Sequence, residues 1–254
     1  SLAYAGALLS KEAAAVVPAL LVGYDVIVRR CGWRDLTTWM RPHAPFVLLT
    51  LALVGFRRVL MGSVIPPAYH GDLATVIPTF AAIVAKTLRD QLAPIDLSAS
   101  HAFGPIRNLT PDALVALGVV AGLGAVVVLL RRRVPLAAFA AWWFPVGLLP
   151  LAVLPLITSL ALYQENRGYL SAVAVAMLGG PLMAWWWGAG ATRTILFRRG
   201  LLVVVFVTLA VVVVQRNPVW LDDLTLWTDV LNKAPGNQAA YVNVVTHLTN
   251  LRVK

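Results

Sequence analysis

Long apolar runs, several of them closed by short clusters of arginines, constrain this chain more than any motif in it. Between Ala113 and Leu130 no side chain is polar, and Arg131-Arg132-Arg133 follows directly. Residues 45–61, 135–156, 168–187 and 201–214 repeat the theme at different lengths. A helix needs about 20 such residues to cross the hydrocarbon core of a bilayer. Charged side chains make up 13% of the chain, about half of what a soluble domain carries. With 59% hydrophobic residues and a mean hydropathy of +0.78, the expected class is an all-α, polytopic helical membrane protein.

The net charge of +10 raises the question of nucleic acid. The basic residues sit in short clusters between apolar runs, which is the pattern of orientation signals and not of a binding stripe, so no nucleic-acid partner is expected. Cys31 is the lone cysteine, which excludes an internal disulfide and any cysteine-based metal cluster. The chain opens on Ser1 without a signal-peptide pattern, and an upstream portion is expected.

Six spans follow in order. The first covers 8–28, with Leu2 to Leu9 as the tail of an earlier helix, a kink at Pro18, and Asp25 one helical turn before Arg29. The second covers 45–61 and carries Arg57 and Arg58 in its last turns. The run 73–85 is too short to cross and continues into Lys86–Asp90, so 73–92 is expected as an interfacial or re-entrant helix. Residues 93–108 are expected as a loop. Thr110 and Pro111 then cap and start the span 111–130. The spans 135–156, 168–187 and 201–214 complete the set. Trp142 and Trp143 are expected in the core or at an interface, and Trp185-Trp186-Trp187 in an interfacial belt. Gly122, Gly124 and Gly179-Gly180 are expected at close helix contacts.

Charge sets the sidedness. The clusters at 29–41, 131–133 and 193–199 all face the cytoplasm only if an even number of crossings separates each from the next, which holds when 73–92 does not cross. Lys11-Glu12, the 62–110 connection, Glu165-Asn166-Arg167 and the tail beyond Gln215 then share the opposite side. The chain divides accordingly into a transmembrane domain, 1–215, and a tail, 216–254. In the tail, Asn217 and Pro218 signal a helix start, with Trp220, Leu224, Trp227 and Leu231 at helical spacing. Pro235-Gly236-Asn237 breaks it before a second amphipathic stretch with Tyr241, Val244, Val245, Leu248 and Leu251. Such a hairpin cannot bury its own apolar face and needs the membrane domain, further repeats or a protein partner.

Several short motifs fall in a suggestive order. They are Ser10-Lys11-Glu12, Tyr24-Asp25, Leu97-Ser98, Trp143 with Leu149-Pro150, Glu165-Asn166-Arg167-Gly168-Tyr169-Leu170, and Trp220 through Asn243 in the tail. Together they resemble the GT-C-class membrane glycosyltransferases that carry C-terminal tetratricopeptide repeats, the O-mannosyltransferase-like proteins. The resemblance implies transfer of a sugar from a polyprenyl-phosphate donor on the non-cytoplasmic side, with no other cofactor. It also implies a multi-pass protein of a bacterial cytoplasmic membrane. Two departures stand out: Asn166 and Gly168 interrupt the family's Glu-Arg-Tyr-Leu-Tyr-Leu-Pro run, and the acids taken as catalytic in this class lie upstream of Ser1. The chain therefore reads as the later part of such an enzyme, truncated or repurposed, and no catalytic residue is assigned.

Candidate substrate-binding residues are Lys11, Glu12, Glu165, Arg167, Tyr169, Arg57 and Arg58. A guanidinium matches phosphate oxygens with paired donors, and Lys11 and Glu12 are costly in a helix unless paired or wetted. Against this stand snorkelling of Arg57 and Arg58, a helix-end charge pair at Lys11-Glu12, and a local Glu165–Arg167 salt bridge. His70, Asp72 and His101 match no recognised ligand spacing, and no metal is expected. The rival function is a non-catalytic accessory subunit of a larger, for example energy-transducing, membrane complex.

Overall fold

The computed structural model describes residues 2–32, 36–61, 72–153, 163–188 and 192–252, and every regular element among them is helical. Helix α1 covers Leu2–Ser10, α2 Val17–Ile27, α3 Leu36–Met40, α4 Ala44–Met61 and α5 Leu73–Leu92. Then come α6 (Pro111–Leu130), α7 (Pro135–Gly147), α8 (Tyr169–Gly188) and α9 (Thr192–Arg216). The tail supplies α10 (Asp223–Lys233) and α11 (Gln238–Arg252).

Helix α7 is the hub. Half of the stretch Pro135–Ala152 is buried, against none of Thr194–Trp220, so α7 is central and α9 peripheral. Along one side α2 runs antiparallel to it: Val16 and Leu20 pack on Val146, and Ile27 on Ala138 and Phe139. On another side α8 runs antiparallel as well, with Ser171 beside Gly147 and Met177 against the Phe139 cluster. The main core joins Ile83 and Val84 of α5 to Ala140, Phe144, Leu148, Leu151, Tyr163 and Ala174. Two indoles tie the hub down: Trp142 Nε1 donates to Ala19 O (3.3 Å) and Trp143 Nε1 to Leu170 O (2.8 Å).

Among the described residues, five helices are long and apolar enough to cross a membrane, over Thr37–Phe56, Pro111–Leu130, Pro135–Ala152, Glu165–Trp187 and Thr194–Trp220. They correspond to five of the six expected spans. The first span differs. Helix α1 ends at Ser10, Lys11 adopts an extended backbone, and a 3₁₀ turn over Glu12–Val16 leads into α2. Pro18 lies in the first turn of α2, where its missing N–H is tolerated, so the chain restarts a helix instead of kinking one.

Other boundaries shift for equally local reasons. Helix α7 gives way at Gly147 to a 3₁₀ turn over Leu149–Val153, because Pro145 and Pro150 cannot donate the bonds that an α-helix requires; residues 154–156 lie outside the described residues. The last helix is longer than expected, since α9 holds 25 residues, or about 37 Å at the α-helical rise. Asn217 and Pro218 only tighten its end, and α10 is capped by Asp222, whose carboxylate accepts from the Thr225 N–H (2.8 Å). Helix α5 is continuous through Pro78 and packs Thr79, Ile83, Val84 and Thr87 into the core.

The ends of the molecule sort by charge. Arg30 donates to Arg132 O (2.9 Å), so the first two basic clusters meet. The antiparallel run of α8 carries its Trp185–Trp187 toward that same end, where Arg198 and Arg199 stack on the indoles. At the opposite end lie the 93–110 connection, the 163–168 island and the tail hairpin.

Close packing falls at glycines other than those expected. Gly122, Gly124, Gly179 and Gly180 have open space where a Cβ would stand. At Gly23 a Cβ would run into the Trp142 indole, and at Gly147 it would lie 3.2 Å from Ser171 N. Gly23→Ala is therefore expected to cost about 1–3 kcal/mol through overpacking, and Gly122→Ala to be neutral or to gain up to about 1 kcal/mol in helix propensity. Thermal melts of the two detergent-solubilised variants check this; equal melting would refute the close contact.

Candidate functional site

The polar end is assembled from three pieces distant in sequence. Helix α5 begins at Asp72, whose carboxylate caps Thr75 N–H (2.8 Å), and its last turns present Lys86 and Asp90 as an i,i+4 pair 3.2 Å apart. The 93–110 connection has no regular structure, as expected, yet Ser98 and Ser100 within it are almost wholly buried. The island follows as Tyr163, Gln164 and a 3₁₀ turn over Glu165–Gly168.

Side-chain chemistry holds these pieces together. Glu165 Oε1 accepts from Ser98 N–H (2.6 Å) and lies 3.0 Å from His101 Nε2. Tyr163 donates its hydroxyl to Asp90 (2.7 Å), and its ring carries His101 on one flank and the Lys86 ammonium 5.1 Å from its centroid. Burial and the Asp90 carboxylate push the Tyr163 hydroxyl well above its ordinary range, so it stays a donor at any physiological pH. Gln91 Nε2 bonds both Gly168 O and Ser171 Oγ (2.9 Å each), closing α5 onto the start of α8.

The tail docks on this assembly. Lys233 donates to Leu97 O (2.8 Å) and Asn237 to Ser100 Oγ (3.1 Å). Asp229 sits between Arg216 (2.8 Å) and Lys233 (2.9 Å) and fastens the hairpin to the end of α9. A cleft of about 170 Å³ opens between the pieces, with three cations, Lys86, Arg89 and Lys233, on its wall beside Asp90, Asp96 and His101.

The expected site residues divide unevenly. Glu165 is at the centre and Arg167 is half-buried in the same turn, while Tyr169 is 76% exposed and stands apart from the cleft. Lys11 is exposed at the same end, placed there by Val16 packing in one cluster with Leu170, without any contact to Glu165. The side chains of Glu12, Arg57 and Arg58 lie outside the described residues, as does His70. Asp72 is a helix cap and His101 belongs to the Glu165 cluster, so that pair is split. Asp90, Lys86 and Tyr163 were not among the candidate site residues, and Ser98 stood only within the Leu97-Ser98 motif. Their signal was local and weak: a Lys–Asp pair at helical spacing closing an apolar run, and a tyrosine two residues before the glutamate.

Compared with protein-family models, curated proteins and solved structures, the chain has no match.

Two outcomes follow. Glu165→Ala leaves the Ser98 N–H without its acceptor, at a cost of about 1–3 kcal/mol. Hydrogen exchange across 95–103 should accelerate while that of α6 stays unchanged; unaltered exchange would remove Glu165 from this role. In the hairpin, burial raises the Asp229 carboxyl, but the bonds from Lys233 and Arg216 outweigh it and hold the pKa below its ordinary 3.8. The stabilisation is therefore complete above about pH 4 and lost as pH falls through the depressed folded value. Acid should loosen α11 amides in wild type, and Asp229→Asn should abolish that acid dependence.

Proposed function

We propose that this chain is a multi-pass membrane protein of the GT-C-like kind, with six crossings and its polar end on the non-cytoplasmic side of a bacterial cytoplasmic membrane. In this reading the cleft at that end receives the phosphate of a polyprenyl-phosphate sugar. One observation carries the proposal: three cations, Lys86, Arg89 and Lys233, share one small cleft at the end of a bundle whose flanks are apolar and exposed. Ammonium and guanidinium groups are suited to a phosphate headgroup, and apolar helix flanks to an isoprenoid tail. The tail hairpin, TPR-like in its two antiparallel amphipathic helices, contributes Lys233 and so completes the cleft.

Glu165 acts here as a positioning group. Its bonded oxygen is engaged by Ser98 N–H and His101, and no catalytic base is assigned. The reading is one of binding without a claim of turnover.

A second reading, an accessory subunit of a larger membrane complex, is favoured by a separate observation. Tyr241, Val245 and Leu248 form an exposed apolar stripe on α11, and the stretch Thr194–Trp220 has no buried residue. Unpartnered apolar faces of that sort suit a protein neighbour.

Undecaprenyl phosphate titrated into phosphatidylcholine nanodiscs bearing the protein separates the two. Binding that weakens about tenfold in Arg89→Ala, the loss of one charge-assisted contact, supports the first reading. Equal binding by Arg89→Ala and Lys233→Ala overturns it, and a stoichiometric protein partner retained from native membranes then supports the second.

A further inference from the structure

We infer that Asp90, His101 and Glu165 form a binding site for one divalent transition-metal ion, with Zn²⁺ the best match to the donors. Each residue offers one ligand atom, and the three atoms lie within 4.8 Å of one another. Tetrahedral zinc with bonds of about 2.0–2.2 Å holds its ligand atoms about 3.3 Å apart. His101 Nε2 and Glu165 Oε1 already stand at 3.0 Å, so the Asp90 oxygen needs a shift of about 1.5 Å at most to complete the triangle. One imidazole and two carboxylates are donors that zinc accepts, and three protein ligands leave a fourth position for solvent or a ligand.

The surroundings suit an ion as well. Two of the ligands have an outer hydrogen-bond partner of the kind that orients metal-binding groups, the Tyr163 hydroxyl on Asp90 and Ser98 N–H on Glu165, and the Tyr163 ring packs against His101. Asp90 and His101 both line the cleft, which gives an ion its entry path. Arg89 and Lys233 also line the cleft, and the nearest competing charge is Lys86, 3.2 Å from Asp90. Its ammonium also rides on the Tyr163 ring, so it has a second favourable contact when the carboxylate turns to the ion. In the ion-free arrangement the His101–Glu165 bond takes the place that the metal would occupy between them. The site comes from α5, the 93–110 connection and the island, so an ion would clamp the same three pieces more firmly.

The test uses the full chain in phosphatidylcholine nanodiscs, stripped with chelator and free of polyprenyl phosphate, so its result is independent of the lipid reading. Zn²⁺ titrated by calorimetry is expected to bind at one equivalent. His101→Ala and Glu165→Gln should each weaken it at least tenfold, Tyr163→Phe about tenfold through the outer shell, and His247→Ala not at all. As a readout that needs no variant to fold, Co²⁺ is also added to the wild-type protein, where a visible d–d absorption of the low-symmetry type, displaced by Zn²⁺, supports the site directly. No saturable Zn²⁺ binding to wild type, or binding unchanged in folded His101→Ala, overturns the proposal and leaves the cluster a hydrogen-bonded latch.

Discussion

The carboxylate of Glu165 is the joint on which the polar end depends. The 93–110 connection has no helix or strand to satisfy its backbone, and a buried N–H without an acceptor is costly. Glu165 supplies the acceptor for Ser98 and a partner for His101, both more than sixty residues earlier. Once held, the connection offers Leu97 O and Ser100 Oγ to the tail, and Lys233 and Asn237 take them. A single acidic side chain thus orders a loop, and the ordered loop in turn receives a hairpin. Asp229 adds the last link by fixing the hairpin to α9.

Packing in the rest of the bundle follows a different rule. Lipid tails are as apolar as leucine, so helices in a membrane gain little from hiding apolar surface from one another. They associate through close fit and through polar groups that find partners. The hub shows both. Ala138 and Ala140 of α7 are fully or almost fully buried, Gly23 admits the Trp142 indole, and two tryptophan N–H groups reach backbone carbonyls across the contact. The large apolar residues meanwhile stand outside: Leu48, Leu51, Leu114, Val115, Leu129 and Phe206 are all more than half exposed.

What the sequence made legible was whatever repeats or accumulates over many residues. The apolar runs, the helical tail and the placing of the 29–41 and 131–133 clusters on one side could be read because many residues carry each signal. Single-residue events were harder. The break at Lys11 depends on one extended residue, and the order of Gly23 over Gly122 as the contact glycine depends on which face of α2 meets α7. Glu165 was visible as a charge between apolar runs. Asp90 was not, since its pairing with Lys86 looks like any solvated helix pair until Tyr163 is brought against it from another segment. Three-dimensional adjacency of that kind leaves no trace in local spacing.

Among the described residues a carboxylate, an imidazole and a cation come together at both ends of the bundle, in different surroundings. At the arginine-rich end Asp25 is 3% exposed, with one oxygen bonded to Arg29 (2.9 Å) and the other to His43 (2.7 Å). Both oxygens are committed, Trp39 covers the imidazole, and the trio locks α2 to the start of α4. Charged groups there are cheap to keep because they lie at a helix end and neutralise one another. At the other end the same ingredients border an open cleft, with Arg89 and Lys233 on its wall beside Asp90 and Asp96. Two committed carboxylate oxygens away from any cleft make a structural lock; charge that faces a cavity leaves room for something to bind. The two clusters differ in access more than in residue types.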